Sequence, residues 1–184
     1  MIMFNLGLLS ILVLIGTSGF DNNAVVYARK AKNSDCGVTK EIVNKYYPHH
    51  ILVQLKDLNE DVKKYFATTY AESHPGCTKG DFDGDGEADY ALLLRTKIKE
   101  KIIERLVVLK GKGGKEFTAI NLDQYDERTG DSFLRSVPAG KIKDSTGTEM
   151  VAINHPGFEI VLFEAASRVY FWRVGKFHFI QTSD

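Results

Sequence analysis

The feature that most restricts what this chain can fold into is the stretch Gly80-Asp81-Phe82-Asp83-Gly84-Asp85-Gly86-Glu87-Ala88-Asp89. Carboxylates at every second position, Asp81, Asp83 and Asp85, can converge on one cation only if the chain between them curls tightly, and Gly86 permits that curl. Hard oxygen donors in a flexible set of about six to eight suit Ca²⁺ better than Mg²⁺, which wants a stricter octahedron and keeps more water. In loop numbering Asp81, Asp83 and Asp85 are positions 1, 3 and 5, Glu87 offers its backbone carbonyl at 7, and Asp89 stands at 9. Position 12, where an EF-hand carries a bidentate Glu, is Leu92. The residues after Asp89, Tyr90-Ala91-Leu92-Leu93-Leu94, read as a buried strand and not as an exiting helix. The loop must therefore open directly into a sheet.

This pattern resembles the calcium-binding β-hairpin loop of FG-GAP and VCBS repeats, the type found in integrin α-chain propellers. The family's ligand pattern, Asp-x-Asp-x-Asp-Gly-x-x-Asp, is matched by Asp81, Asp83, Asp85, Gly86 and Asp89. The resemblance covers roughly fifteen of the 184 residues and implies a calcium loop. Those families build propellers from many repeats, each with its own signature, and a single copy excludes that architecture.

At the start of the chain, residues 6–15 form a short, nearly unbroken apolar run, followed by Gly16-Thr17-Ser18-Gly19 and then by Val26-Tyr27-Ala28. This is the apolar core and small-residue cleavage site of a secretory signal, expected over residues 1–28. Residues 1–5 lack the usual Lys or Arg, and the rival reading is an uncleaved membrane anchor. The run is short for a span of about 20 residues. Export would place the protein in the periplasm or outside the cell. Residues 29–184 would then form one domain, large enough to bury a core without obligatory staples.

Charge says little. The chain holds 24 basic and 24 acidic residues, and Asp21 is the only charge in the leader. There is no basic stripe of the kind nucleic acid needs, and Arg29, Lys30 and Lys32 read as a solvated terminus. Cys36 and Cys77 are the only cysteines, and an even count behind an export signal favours a disulfide. Such a bridge would fasten the helical segment to the calcium loop.

Between the cysteines the pattern is helical. Over residues 39–47, Ile42, Val43, Tyr46 and Tyr47 recur at helical spacing before Pro48. A second helix is expected over 58–71, with Asp57 and Glu60 as its capping box and an apolar face of Val62, Tyr65, Phe66, Thr69 and Tyr70. From residue 88 onward strands are expected at 88–96, 102–110, 115–121, 148–153, 158–164, 168–174 and 177–181. Gly111-Lys112-Gly113-Gly114, Asn154-His155-Pro156-Gly157 and Gly175-Lys176 supply turns. Residues 122–147, rich in Asp, Gly, Ser and Pro, read as a long surface loop. The expected fold is therefore α+β: two N-terminal helices on one face of a twisted antiparallel sheet of about six to seven strands. Alternation along 168–174 sends Val169 and Phe171 to one face and Tyr170, Trp172 and Val174 to the other.

The sequence contains no Gly-x-Ser-x-Gly elbow, His-Glu-x-x-His helix, phosphate loop or dinucleotide fingerprint. Gly111-Lys112-Gly113-Gly114-Lys115 joins two strands and reads as a turn. His49 and His50 sit at a helix end, where the helix dipole favours an imidazolium, and His74, His155 and His178 are isolated in sequence. The leading expectation is an exported, non-catalytic domain that uses calcium structurally and binds an envelope or extracellular protein or glycan. The alternatives are an inhibitor or immunity-type protein acting through loop 122–147, and a small envelope hydrolase.

Overall fold

Helix α1 (Lys40–Tyr46) starts where the Thr39 hydroxyl accepts the Ile42 N–H at 3.4 Å. The computed structural model describes residues 36–126 and 130–183; the expected leader, with Arg29, Lys30 and Lys32, lies outside them. Helix α2 (Glu60–Thr69) buries Val62 and Phe66, with Tyr65 and Tyr70 in ring contact with Phe133. The expected Asp57/Glu60 capping box does not form. A 3₁₀ turn (Leu55–Asp57) precedes the helix and engages Asp57, which accepts the Gln54 N–H at 2.8 Å. Glu60 pairs with Lys63, and the helix is preceded by Asn59, whose side chain donates to Asp131.

The described residues are mostly strand, all antiparallel, in open sheets that make neither a barrel nor a propeller. They form three sheets in place of the single sheet expected. The first contains β1 (Ile51–Leu52), β2 (Cys77–Gly80), β3 (Asp89–Ile98), β4 (Lys101–Gly111) and β5 (Phe117–Tyr125), with β1 and β2 sharing one edge of β3. The second is ordered β11-β10-β9-β6, from β6 (Ser132–Val137), β9 (Gly157–Leu162), β10 (Ala166–Arg173) and β11 (Lys176–Ser183). The third is a hairpin of β7 (Gly140–Lys143) and β8 (Met150–Ile153).

Residues 122–147 are not a long loop. Strand β5 runs into that segment, and β6 and β7 arise from it. Polar residues hid these strands. Asn121 accepts from the Tyr47 hydroxyl and Asp123 from Arg168, so partners elsewhere in the chain accommodate them in strand β5. The Gly175-Lys176 turn is shifted by one residue. Arg173 pairs with Lys176, so Val174 and Gly175 form the turn, both with positive φ, as a type I′ hairpin requires.

Alternation along each strand sorts the side chains into layers. On one face of the first sheet Leu92, Leu94, Val107 and Leu109 pack with Val43 and Tyr47 of α1. On the other, Ala91, Leu93, Leu106 and Val108 meet Leu134, Phe158, Ile160 and Tyr170 of the second sheet, with α2 in the same core. The outer face of the second sheet, Val169, Phe171 and Ile180, is covered by Ile142, Val151 and Ile153 of the β7–β8 hairpin. The helices thus belong to different layers. Sheet stacking replaces a helix-covered single sheet because both faces of β3, β4 and β10 are apolar. The Cys36–Cys77 disulfide, with Cα atoms 6.0 Å apart, ties the segment before α1 to β2, and the Leu134 N–H of the second sheet donates to the Pro75 carbonyl beside the first at 2.7 Å.

Candidate metal centre

The loop between β2 and β3 is closed by the register pair Gly80 and Asp89, so it is the turn of a β-hairpin. Its carboxylates are held by its own backbone. Asp81 accepts the N–H of Gly84 at 2.8 Å on one oxygen and that of Gly86 at 3.0 Å on the other. Asp83 accepts the Asp85 N–H at 3.3 Å, and Asp85 accepts the Glu87 N–H at 2.9 Å. Gly84 and Gly86 have φ of 79° and 87°, the left-handed conformation that lets the chain wrap around its acidic side chains.

Asp89 is wholly buried and pins the loop to the sheet. One oxygen accepts the Phe82 N–H at 2.9 Å and the other the Gly111 N–H at 2.8 Å, at the end of β4. Burial pushes its carboxyl above the usual carboxylate range, while the two N–H groups favour the charged form and Asp83 and Asp85 oppose it. Phe82 anchors the loop from the other side, its buried ring lying 5.1 Å from that of Phe158 in the second sheet.

Asp81, Asp83 and Asp89 each offer an oxygen, and these lie within 4.8 Å of one another, so the group could hold a metal ion. Each carboxylate oxygen that accepts one N–H retains a lone pair for a cation, so the donor set fits a hard divalent ion. The loop brings Asp85 to a different neighbour. Lys110, on β4, places its ammonium 2.7 Å from Asp83 and 2.7 Å from Asp85. These two hydrogen bonds push the lysine well above its usual range, and the lysine in turn holds Asp85 below that of an ordinary carboxylate. Glu87 enters through its backbone N–H, and its side chain is exposed.

Sequence reasoning missed three participants. Phe82 looked like a loop residue, and its burial depends on the second sheet. Lys110 lies 25 residues from Asp85 and reaches it only through β3–β4 pairing. His155 packs on the loop so closely that a Cβ at Gly84 would stand 2.1 Å from the imidazole. Gly84 therefore needs to be glycine for space as well as for its φ.

Elsewhere, Gly111-Lys112-Gly113-Gly114-Lys115 is the turn between β4 and β5, with the Lys112 N–H donating to Glu116 at 3.0 Å. His50 Nδ1 lies 2.9 Å from the Pro48 carbonyl, and His74 Nδ1 accepts the Gly76 N–H at 3.2 Å. Tyr170 is stacked on Phe158 in the core, and Trp172 meets Phe177 edge-on, so this strand supplies packing. Asp123 accepts from Tyr125 and Arg168 in a polar junction between β5 and β10. The chain matches no protein family, no curated protein and no solved structure.

Proposed function

We propose that this chain is an exported, non-catalytic domain whose hairpin loop binds one Ca²⁺, and that the rigid domain so formed binds an envelope or extracellular macromolecule. The observation that carries the calcium reading is the convergence of Asp81, Asp83 and Asp89 on a loop whose glycines and N–H groups already fix the carboxylates. Asp85 and the Glu87 carbonyl complete the protein donors, and water fills the remaining positions. Asp85 joins the ion when Lys110 releases it. The FG-GAP-like spacing supports calcium over a transition metal, because every side-chain donor is a carboxylate and none is a thiolate or an imidazole.

The ion's role is structural. Its charge is largely neutralised by its own ligands, which makes it a poor activator of water. The disulfide supports export, and among the described residues no helix is long and apolar enough to cross a membrane. The segment 122–147 supplies the end of β5 and strands β6 and β7, which favours the calcium-stabilised binding domain over an inhibitor acting through a long loop there.

Titration calorimetry and thermal melts with calcium and with chelator test the proposal, with Asp83→Ala as the control. At 100 times its dissociation constant, calcium should add about 2.7 kcal/mol of stability. An unchanged melting temperature in chelator, with no binding at millimolar calcium, refutes the site.

A further inference from the structure

We infer that the β3–β4 hairpin is a membrane-surface arm that seats on anionic lipid. Strand β1 reaches along β3 only to Arg95, and β5 reaches along β4 only to Glu104. Beyond those positions, among the described residues, β3 and β4 are in register only with each other, through Thr96 with Ile103, Lys97 with Ile102 and Ile98 with Lys101; Thr96 is buried and its hydroxyl donates to the His49 carbonyl at 3.0 Å, so the exposed part begins at the Lys97–Ile102 pair. The two exposed register pairs, at about 3.3 Å per residue and closed by the Lys99-Glu100 turn, make a two-stranded arm about 7 Å long.

Its composition is unusual for a solvated hairpin tip. Ile98 is 49% exposed and Ile102 38%, and Ile51 at the root of the arm is 52% exposed. The register puts Ile98 and Ile102 on opposite faces, because adjacent pairs alternate. Around them stand Lys97, Lys99 and Lys101 against a single acid, Glu100, which pairs with Lys97 at 3.2 Å. Lys99 holds a left-handed φ of 56° at the turn, where glycine would relieve the strain.

Apolar side chains on both faces decide the class of partner. A flat protein surface would cover one face and leave the other wet. An arm entering the interfacial zone of a bilayer covers both at once, while the lysine stems lie along the apolar layer and their ammonium groups reach lipid phosphates. Nucleic acid is disfavoured because the arm has no aromatic ring on which a base could stack. The inference is independent of the calcium site.

The test uses the natively processed full-length protein and vesicles of phosphatidylcholine alone or mixed with phosphatidylglycerol. Co-sedimentation should occur with the anionic vesicles, weaken at high salt, and fall about fivefold for each lysine lost in Lys97→Gln and Lys101→Gln. The double variant Ile98→Ser/Ile102→Ser should also bind less while remaining folded with a cooperative melt, because neither side chain belongs to a buried core cluster. An environment-sensitive fluorophore at Glu100→Cys reads the arm itself, whatever else of the chain touches lipid, and should shift to the blue with anionic vesicles. The inference is overturned by an unmoved fluorophore, by binding that the lysine and isoleucine variants leave unchanged, or by tighter binding to duplex DNA or to heparin than to the vesicles.

Discussion

Replacing Asp89 by Ala should destabilise the domain even when no calcium is present. Its carboxylate accepts two buried backbone N–H groups, from Phe82 at 2.9 Å and Gly111 at 2.8 Å, and Ala would leave both donors without a partner. An unsatisfied buried donor costs about 1–3 kcal/mol, so the pair together costs about 2–6 kcal/mol. The wild-type carboxylate is itself disfavoured by burial, as its raised pKa records, which moves the expected loss toward the lower half, about 3 kcal/mol. For a domain of this size that is a fall of about 10 °C in melting temperature. Asp89→Asn should recover part of it, since the amide oxygen still accepts one N–H while its NH₂ faces the other. The assay is thermal and urea unfolding in chelator, repeated with calcium. A loss under about 1 kcal/mol in chelator would refute the pinning role, because the two N–H groups would then have other partners. An undiminished gain from calcium in Asp89→Ala would remove Asp89 from the ligand set.

Lys110→Met should lower the melting temperature in chelator, because Asp83 and Asp85 lose the ammonium that bridges them, and should tighten calcium binding severalfold, because the cation no longer displaces a resident charge; calorimetry reporting weaker binding would contradict this. Arg95→Met should cost about 3–5 kcal/mol at neutral pH, since it strips the fully buried Glu104 of its charged partner and leaves it only the Gly130 N–H. Glu104 is already raised by burial, so that penalty should shrink in acid, where the carboxyl is neutral, and a pH-independent loss in urea unfolding would contradict the assignment. Burial raises the Tyr125 and Tyr170 phenols, so folding favours their protonated forms. Their stabilising contribution is complete below the unfolded value near 10 and is lost as pH climbs above it. Ultraviolet titration should find both silent until alkaline unfolding, and early ionisation in the folded state would refute their burial.

Much of the candidate site was legible because the convergence of closely spaced carboxylates is a local property. The Asp spacing, Gly86 and the apolar run after Asp89 specify a hairpin loop with converging carboxylates from about ten consecutive residues. The division of labour among those carboxylates was not legible. Asp89 differs from Asp81 because Gly111 N–H reaches it across the β3–β4 pairing, and Asp85 differs because Lys110 does the same. The strands that carry long apolar, β-branched and aromatic runs, such as β4 and β10, were legible on the same local grounds. Strand β6 was not, since Ser132-Phe133-Leu134 is too short to carry a period and is strand only because β9 pairs with it.

By itself, then, the sequence determined what depends on near neighbours: the acidic hairpin loop, the helix begun at Thr39, the main strands, and the availability of Cys36 and Cys77 for a bridge. Tertiary structure alone decided that the strands split into stacked sheets, that α1 and α2 enter different layers, and that Phe82 is core. It also decided that the β3–β4 register runs past the described pairs of β1 and β5, leaving Ile98, Ile102 and three lysines at an exposed hairpin tip. The physical reason is the range of each interaction. Turn geometry and side-chain period act within a few residues, whereas burial and cross-strand hydrogen bonds join residues tens of positions apart, and only the folded chain brings those together.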